Sequence, residues 1–385
     1  MTEDWRIGGF GLYIHWPFCE AKCPYCDFNS HVRQDVDQKR WLRAYIAEIE
    51  RHASLLPGRV LNSIYFGGGT PSLMAPELVA EILARVRRLW PAANDLEVTL
   101  EANPGSVEAG RLAAYAQAGV SRVSLGVQAL NARDLRRLGR VHSLAEAMQA
   151  IDIANTFFQR VSFDLIYARP GQSLADWRAE LGQALRLAGD HLSLYQLTIE
   201  PGTVFGARHA RGALPGLPDE ELGAALYTLT QELCDAAGLC AYEVSNHARS
   251  GSESRHNLIY WRCGDYVGVG PGAHGRITIG GIRHATETHR LPETWLTAAE
   301  AGNGDLLCAP VPPAEQAEEL LLMGLRLSEG IDMRRFRALS GRELSATALA
   351  ELQGLGMVAI TGDRLRATTR GRLVLNAVIR ALVEG

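Results

Sequence analysis

Phe18-Cys19-Glu20-Ala21-Lys22-Cys23-Pro24-Tyr25-Cys26 places three thiols within eight residues, directly after the run Leu12-Tyr13-Ile14-His15-Trp16. That run has the aromatic and β-branched content of a strand, so the thiols belong to a loop at a strand's C-terminal end, where α/β barrels carry their chemistry. Seven cysteines is an odd number, and three so close together make a poor disulfide framework and a good metal-holding one. The other four, Cys234, Cys240, Cys263 and Cys308, are scattered and read as small apolar residues. A structural zinc site would need a fourth ligand, and neither His15 nor His31 stands at a usual spacing. An iron–sulfur cubane takes one thiolate per iron, so three thiolates leave one iron free to bind something else.

Outward from this loop, short apolar or β-branched runs alternate with helical periodicity. Strands are expected at residues 12–16, 61–66, 96–101, 122–128, 161–167 and 192–197. Between them, Leu78, Val79, Ile82, Leu83 and Val86 share one face of a helix over 76–90, and Ser143 is placed to cap a helix over 144–154. Six βα units predict an α/β fold, a partial, TIM-like (β/α)6 barrel, since the full ring needs two more. Its C-terminal rim would carry Gly67-Gly68-Gly69-Thr70 after the second strand. Glu101, Gln128 and Asp164 would stand at the ends of the third, fourth and fifth. Glycines let backbone approach a ligand closely, and polar groups converging on one rim are placed to hydrogen-bond one.

After Pro201 the rhythm changes to a Gly/Pro-rich stretch, 212–218, a helix over 219–237, a strand over 241–245 and a polar turn region, 250–255. From Ala314 the pattern is helix (315–327), helix (333–339), helix (345–354), hairpin (357–361 and 364–367) and a last helix, a winged-helix-like α+β module. Such modules often bind DNA, but this one lacks a dense basic helix. With 39 basic and 43 acidic side chains the net charge is −4, against nucleic acid as a partner. The first eleven residues lack a signal-peptide stretch and no later apolar run reaches membrane-span length, so the reading is cytoplasmic, with no integral membrane segment.

The C-x-x-x-C-x-x-C spacing, with an aromatic residue before the last cysteine, resembles the signature of the radical S-adenosylmethionine (SAM) superfamily. The resemblance implies that the free iron chelates the methionyl amino and carboxylate groups. The chain as a whole resembles the oxygen-independent coproporphyrinogen oxidases, and within them the HemW haem chaperones. The motifs are Tyr13-Ile14-His15-Trp16-Pro17-Phe18-Cys19, Tyr65-Phe66-Gly67-Gly68-Gly69-Thr70-Pro71, Ser124-Leu125-Gly126-Val127-Gln128, Asp164-Leu165-Ile166-Tyr167 and His256-Asn257-Leu258-Ile259-Tyr260-Trp261. Carried over, the family implies a 4Fe-4S cluster on Cys19, Cys23 and Cys26, and SAM contacts from Tyr13, Tyr25, Gly68, Gly69, Thr70, Glu101, Gln128, Arg140 and Asp164. It also implies haem at His256, whose neutral imidazole is a standard axial ligand. No residue receives a catalytic role.

Two departures separate the chain from the oxidase pattern: Phe28 stands where the oxidase has a fourth cysteine, and only 18 residues precede Cys19. A third is Ala168-Arg169, where relatives more often have Gly-Leu. The expected organisation is therefore a radical SAM partial barrel (1–240), a connecting region with the haem-binding motif (241–310) and a HemN-like C-terminal domain (311–385). The expected function is delivery of haem to apoproteins such as cytochromes, with peripheral membrane association open. The alternatives are an oxidative decarboxylase acting on coproporphyrinogen and a DNA-binding regulator. SAM cleavage remains chemically open to either of the first two.

Overall fold

The computed structural model describes residues 3–384. Six strands, β1 (Phe10–Trp16), β2 (Leu61–Gly68), β3 (Ala92–Ala102), β4 (Arg122–Gln128), β5 (Arg160–Tyr167) and β6 (His191–Gln196), pair in sequence order, each parallel to the next. Helices α1 (Gln38–Leu55), α2 (Pro76–Leu89), α3 (Ala109–Ala118), α4 (Leu144–Phe157) and α5 (Leu174–Leu187) fill the crossovers. Ser143 caps α4 in a reciprocal capping box with Glu146, as its position predicts. The six-unit partial barrel is as the sequence rhythm requires.

Alternation along the strands decides which face meets the helices. Leu12 and Ile14, Ile64 and Phe66, Val98 and Leu100, Val161 and Phe163, and Leu192 and Leu194 all join the main core. The opposite parity is polar: Tyr65, Thr99, Glu101, Ser124, Ser162, Asp164, Ser193 and Tyr195 line one small interior cavity of about 50 Å³. A closed barrel normally packs branched apolar side chains there, so this interior is built for hydrogen bonding.

Residues 241–310, set apart in the sequence reading as a connecting region, belong to the same sheet. The strand predicted at 241–245 divides into β7 (Cys240–Ala241) and β8 (Asn246–Ala248). The buried Glu243 carboxylate turns the chain between them, accepting from the Ser245 N–H at 3.0 Å and from Asn246 Nδ2 at 2.6 Å. Helix α6 (Glu220–Ala236) precedes β7, and α7 (Arg255–Trp261) leads to β9 (Asp265–Val269). β9 pairs parallel with the free edge of β1, giving a seventh parallel strand where six were read. β10 (His274–Ile279), β11 (Ile282–Thr288) and β12 (Asp305–Pro310) then extend the sheet antiparallel, flanked by α8 (Pro292–Glu300). Val267, Val269, Ile277 and Trp295 enter the main core.

The C-terminal unit has its own core around Leu320, Leu321, Phe336, Leu365, Val378 and Leu382. Three helices and a hairpin closed at Gly362 give the expected winged-helix-like arrangement. It is tied to the seam before β9 by Arg335, which donates to Asp4 and to the carbonyls of Arg262 and Cys263. Among the described residues no helix is long and apolar enough to cross a membrane.

Candidate cluster and cofactor site

The cysteine loop leaves β1 at Trp16 and is pinned at its base by a short parallel pairing of Phe18–Cys19 with His31–Val32. Inside it the Cys26 N–H donates to the Cys23 carbonyl at 3.1 Å and Lys22 Nζ to the Ser30 carbonyl at 3.2 Å. All three thiols are half-buried and free. Each has a separate polar neighbour: Thr70 Oγ1 lies 3.4 Å from Cys19 Sγ, Arg140 Nη1 3.4 Å from Cys23 Sγ, and Ser30 Oγ 4.0 Å from Cys26 Sγ. Burial pushes the Cys19 and Cys26 thiols up, and the neighbouring cysteines add to it, so ionising all three calls for a cation among them. Among the described residues no three Cys, His, Asp or Glu side chains are grouped as ligands of a single metal ion. A cubane asks for something else, one thiolate to each of three irons.

The Gly67–Thr70 segment is read from the sequence as a ligand cradle; in the fold the chain itself takes up much of that room. A Cβ on Gly69 would lie 2.7 Å from the Phe18 carbonyl oxygen, and one on Gly68, where φ is +112°, 2.5 Å from the His15 ring. The Gly69 N–H donates to the Trp16 carbonyl and the Thr70 N–H to that of Phe18, so β2's end locks the cysteine loop in place. The Gly68 N–H donates to Glu101 Oε2 at 3.2 Å, while Tyr65 Oη donates to Oε1 at 2.8 Å.

Glu101 and Asp164 face the same interior. Burial raises Glu101 to about 7, with Asp164 adding to the shift, and raises Asp164 to about 6 against the hydrogen bonds it receives from Ser193 and Ser124. Two buried carboxylates so placed call for a cation, and the sulfonium and amino groups of SAM are cations. Arg140 stands across from them. Its Nη2 donates to the Gly126 carbonyl at 2.8 Å, while its buried Nε has no partner, an orphan donor suited to a ligand carboxylate. Gln128 ends β4 at φ +72°, beside a register shift against β5, and Ala168 follows β5 at φ +58°. Left-handed backbone at non-glycine residues is costly and here falls on the rim at both places. At Ala168 it explains why a glycine suits that position. Tyr25 lies over Phe205 beside Cys23 and Arg140, and Tyr13 Oη meets His15 Nδ1 at 3.0 Å. The donor set thus fits a cluster with SAM against it.

His256 adjoins this site through two of its tyrosines. It sits on α7 inside the curve of the sheet, stacked on Tyr65 at 4.9 Å and Tyr13 at 6.1 Å. Both ring nitrogens are engaged: Nδ1 with Ser63 Oγ at 2.7 Å and Nε2 with Tyr260 Oη at 2.6 Å. Sequence reasoning gave no role of their own to Tyr65 and Ser124, quoted only within motifs, and passed over Ser193 and Tyr195, although their period of two with Glu101 and Asp164 marks the inner face.

Residues 13–182 match the radical SAM superfamily and residues 311–374 the HemN C-terminal domain. The chain is 37% identical to the heme chaperone HemW of Escherichia coli K12 over 380 residues, covering 97% of this chain and 98% of that protein. It is 41% identical to the heme chaperone HemW of Mycobacterium tuberculosis H37Rv over 384 residues, covering 97% and 95%. The chain belongs to the HemW family. Another relative, the mitochondrial radical S-adenosyl methionine domain-containing protein 1 of Bos taurus, is 39% identical over 385 residues, covering 97% of this chain and 87% of that one. Among solved structures, the coproporphyrinogen III oxidase HemN of Escherichia coli superposes with a TM-score of 0.81 at 21% identity over 97% of this chain and 90% of its own, a likeness of fold. The HemW family therefore shares its architecture with an oxidase of different sequence.

The buried histidines make the protein sensitive to acid. Burial pushes His256 down to about 3, and His15 and His247 each to about 4. For each, the unfolded chain takes the proton more readily, so stability present above the unfolded value near 6.5 is lost as pH falls through 6.5 toward 4. At pH 5 each costs about 2 kcal/mol. Glu101 and Asp164 run the opposite way, since their raised values penalise the ionised fold at neutral pH and relax as they protonate. With more buried histidines held down than buried carboxylates held up among these groups, the protein without cofactors is expected to lose stability between pH 7 and pH 5, read from urea midpoints; a midpoint that rises on acidification would contradict this.

Proposed function

We propose that this protein binds haem and passes it to acceptor apoproteins, cytochromes among them, from a radical SAM scaffold. Cys19, Cys23 and Cys26 hold the 4Fe-4S cluster. Tyr13, Tyr25, Gly68, Gly69, Thr70, Glu101, Gln128, Arg140 and Asp164 surround SAM on the fourth iron. The carrying observation is end-to-end similarity to proteins named heme chaperones, 37% and 41% identical over 97% of this chain. Within the site, Glu101 and Asp164 balance the cationic ligand, Arg140 takes its carboxylate and the glycine segment fixes the cluster loop. When bound, cluster and SAM would supply one-electron chemistry; the protein supplies orientation. In this reading the protein works in the cytoplasm and reaches membrane-embedded acceptors by surface contact.

The test is anaerobic and has two arms. Haemin added to the reconstituted protein is expected to give a shifted Soret band, and the bound haem to move to an apocytochrome. Coproporphyrinogen in the same preparation is expected to remain unreacted. Vinyl product at catalytic turnover would overturn the chaperone reading in favour of the oxidase.

A further inference from the structure

Next to the cysteine loop lies a cavity of about 540 Å³, inside the ~300–1,000 Å³ range of small-ligand pockets. Phe205 is its wall toward the loop: its N–H donates to the Pro24 carbonyl at 2.8 Å and its ring lies against Tyr25. Leu138, also on the lining, precedes Gly139, where a Cβ would lie 2.5 Å from Pro24 Cδ. Elsewhere on the lining the Gly171 N–H donates to the Gly216 carbonyl at 2.7 Å, tying the turn after β5 to the Gly/Pro-rich stretch. The walls are thus held by the chain's own hydrogen bonds and packing, and the cavity is formed before any ligand arrives.

Its charge is one-sided. Arg133, Arg136 and Arg137 stand at i, i+3 and i+4 of the short helix Ala132–Arg137, and Arg208 is in the last turn of the helix Val204–Ala210, so four exposed arginines share the lining. Like charges at that helical spacing repel one another, and a bound anion would relieve them. Arg137 Nη1 donates to the Pro170 carbonyl at 3.3 Å. The single carboxylate on the lining, Asp134, is held by Arg169 at 3.0 Å, and none of the four exposed arginines has an ion pair among the described residues. Arg169 is itself buried, shared between Asp134 and Glu180, with its Nε unpartnered. This is the position where the sequence departs from the more frequent Gly-Leu. A leucine there would leave the Asp134 charge facing the arginines; Arg169 cancels it and leaves the cavity cationic. Clefts lined by one sign of charge focus their field, and guanidiniums match phosphate oxygens two by two. Leu138, Phe205 and Leu214, which belong to one small apolar cluster, supply a floor for a ligand's less polar body. A flat anionic surface would need neither the concavity nor that floor.

We propose that this cavity binds a phosphorylated small molecule, a nucleoside phosphate being the representative, with its phosphates on Arg133, Arg136, Arg137 and Arg208 and its body on Leu138 and Phe205. None of the residues assigned to SAM lines the cavity, so the two sites are separate. The inference stands independently of the haem-chaperone reading.

The experiment measures ADP, adenosine and inorganic pyrophosphate by equilibrium dialysis against full-length protein reconstituted with its cluster and saturated with SAM, which blocks nucleosides from the SAM residues. Wild type is expected to bind ADP and pyrophosphate, and adenosine at least about tenfold more weakly than ADP. Arg136→Ala and Arg208→Ala change exposed side chains, and each is expected to weaken ADP about tenfold with the near-ultraviolet circular dichroism of wild type. Arg88→Ala, an exposed arginine in the last turn of α2 and outside the cavity, is expected to leave ADP binding unchanged. Wild-type affinity for ADP in both cavity variants, an equal loss in Arg88→Ala, or adenosine that binds as well as ADP would overturn the site. A second arm uses vesicles of phosphatidylglycerol in phosphatidylcholine. Wild type that is retained on the vesicles and binds neither ADP nor pyrophosphate would overturn the proposal in favour of a lipid headgroup, and wild type that binds none of these probes would overturn it outright.

Discussion

Cys23→Ala, reconstituted anaerobically with iron and sulfide, is expected to fall from about four irons per chain to less than about one, with the broad visible absorption of the cluster lost and SAM binding lost with it. The size of the effect follows from the loop's construction. Cys19 and Cys26 are supported by Thr70 and Ser30, but only Cys23 faces Arg140. Its removal takes one of three thiolates from the cluster and also leaves Arg140 Nη1 without its sulfur partner beside an Nε that already has none. A guanidinium so buried with two unmet donors turns toward other acceptors and away from the place where it would meet the SAM carboxylate. The measurement is iron per chain beside the visible spectrum. Full iron content in the variant would remove Cys23 from the ligand set, and stoichiometric zinc with no iron in wild type would overturn the cluster itself.

The second large effect is on stability. Asp265, fully buried at the start of β9, accepts from Arg59 Nη1 at 2.7 Å, Arg283 Nη1 at 3.2 Å and Thr278 Oγ1 at 3.1 Å. Arg59 also lies 4.0 Å over the Trp5 ring. Two buried guanidiniums therefore share one carboxylate at the point where β9 joins β1. Asp265→Ala leaves both without a counter-charge and is expected to cost about 3–5 kcal/mol, read as a lower urea midpoint at pH 7. A loss below about 1 kcal/mol would show that the arginines find other acceptors. The cysteine loop leaves the other end of β1, so at low temperature the variant should still take up iron as wild type does.

Much of the fold can be read from the chain because each barrel strand alternates one apolar face with one polar face. Val98-Thr99-Leu100-Glu101 and Phe163-Asp164-Leu165 state both the strand and its inward residue, so the rim positions Glu101 and Asp164 follow from local pattern. The cysteine loop is equally local. The extension was harder. Asp265-Tyr266-Val267-Gly268-Val269 begins with a charge whose purpose is two arginines 206 residues upstream and 18 downstream. Its hairpin went unread as well, although Gly280-Gly281, at φ +57° and +82°, is the two-residue turn that joins β10 to β11. Nor was the state of His256 legible. Its Nδ1 partner, Ser63, is 193 residues away, and only the folded sheet brings the hydroxyl to the ring.

β1 is flanked on one side by β2 and on the other by β9, and residues 69–264 separate those two neighbours. As the nascent chain leaves the ribosome, the second flank of β1 stays without its hydrogen-bonding neighbour until residues 265–269 have emerged, roughly 10–40 s later at ordinary elongation rates. During that interval Leu12, Ile14 and Trp16 border an open edge of the kind that pairs with other chains. Synthesis halted before residue 265 would yield fragments prone to aggregate, and the intact polypeptide depends on holding that edge apart from its neighbours until this strand has been made.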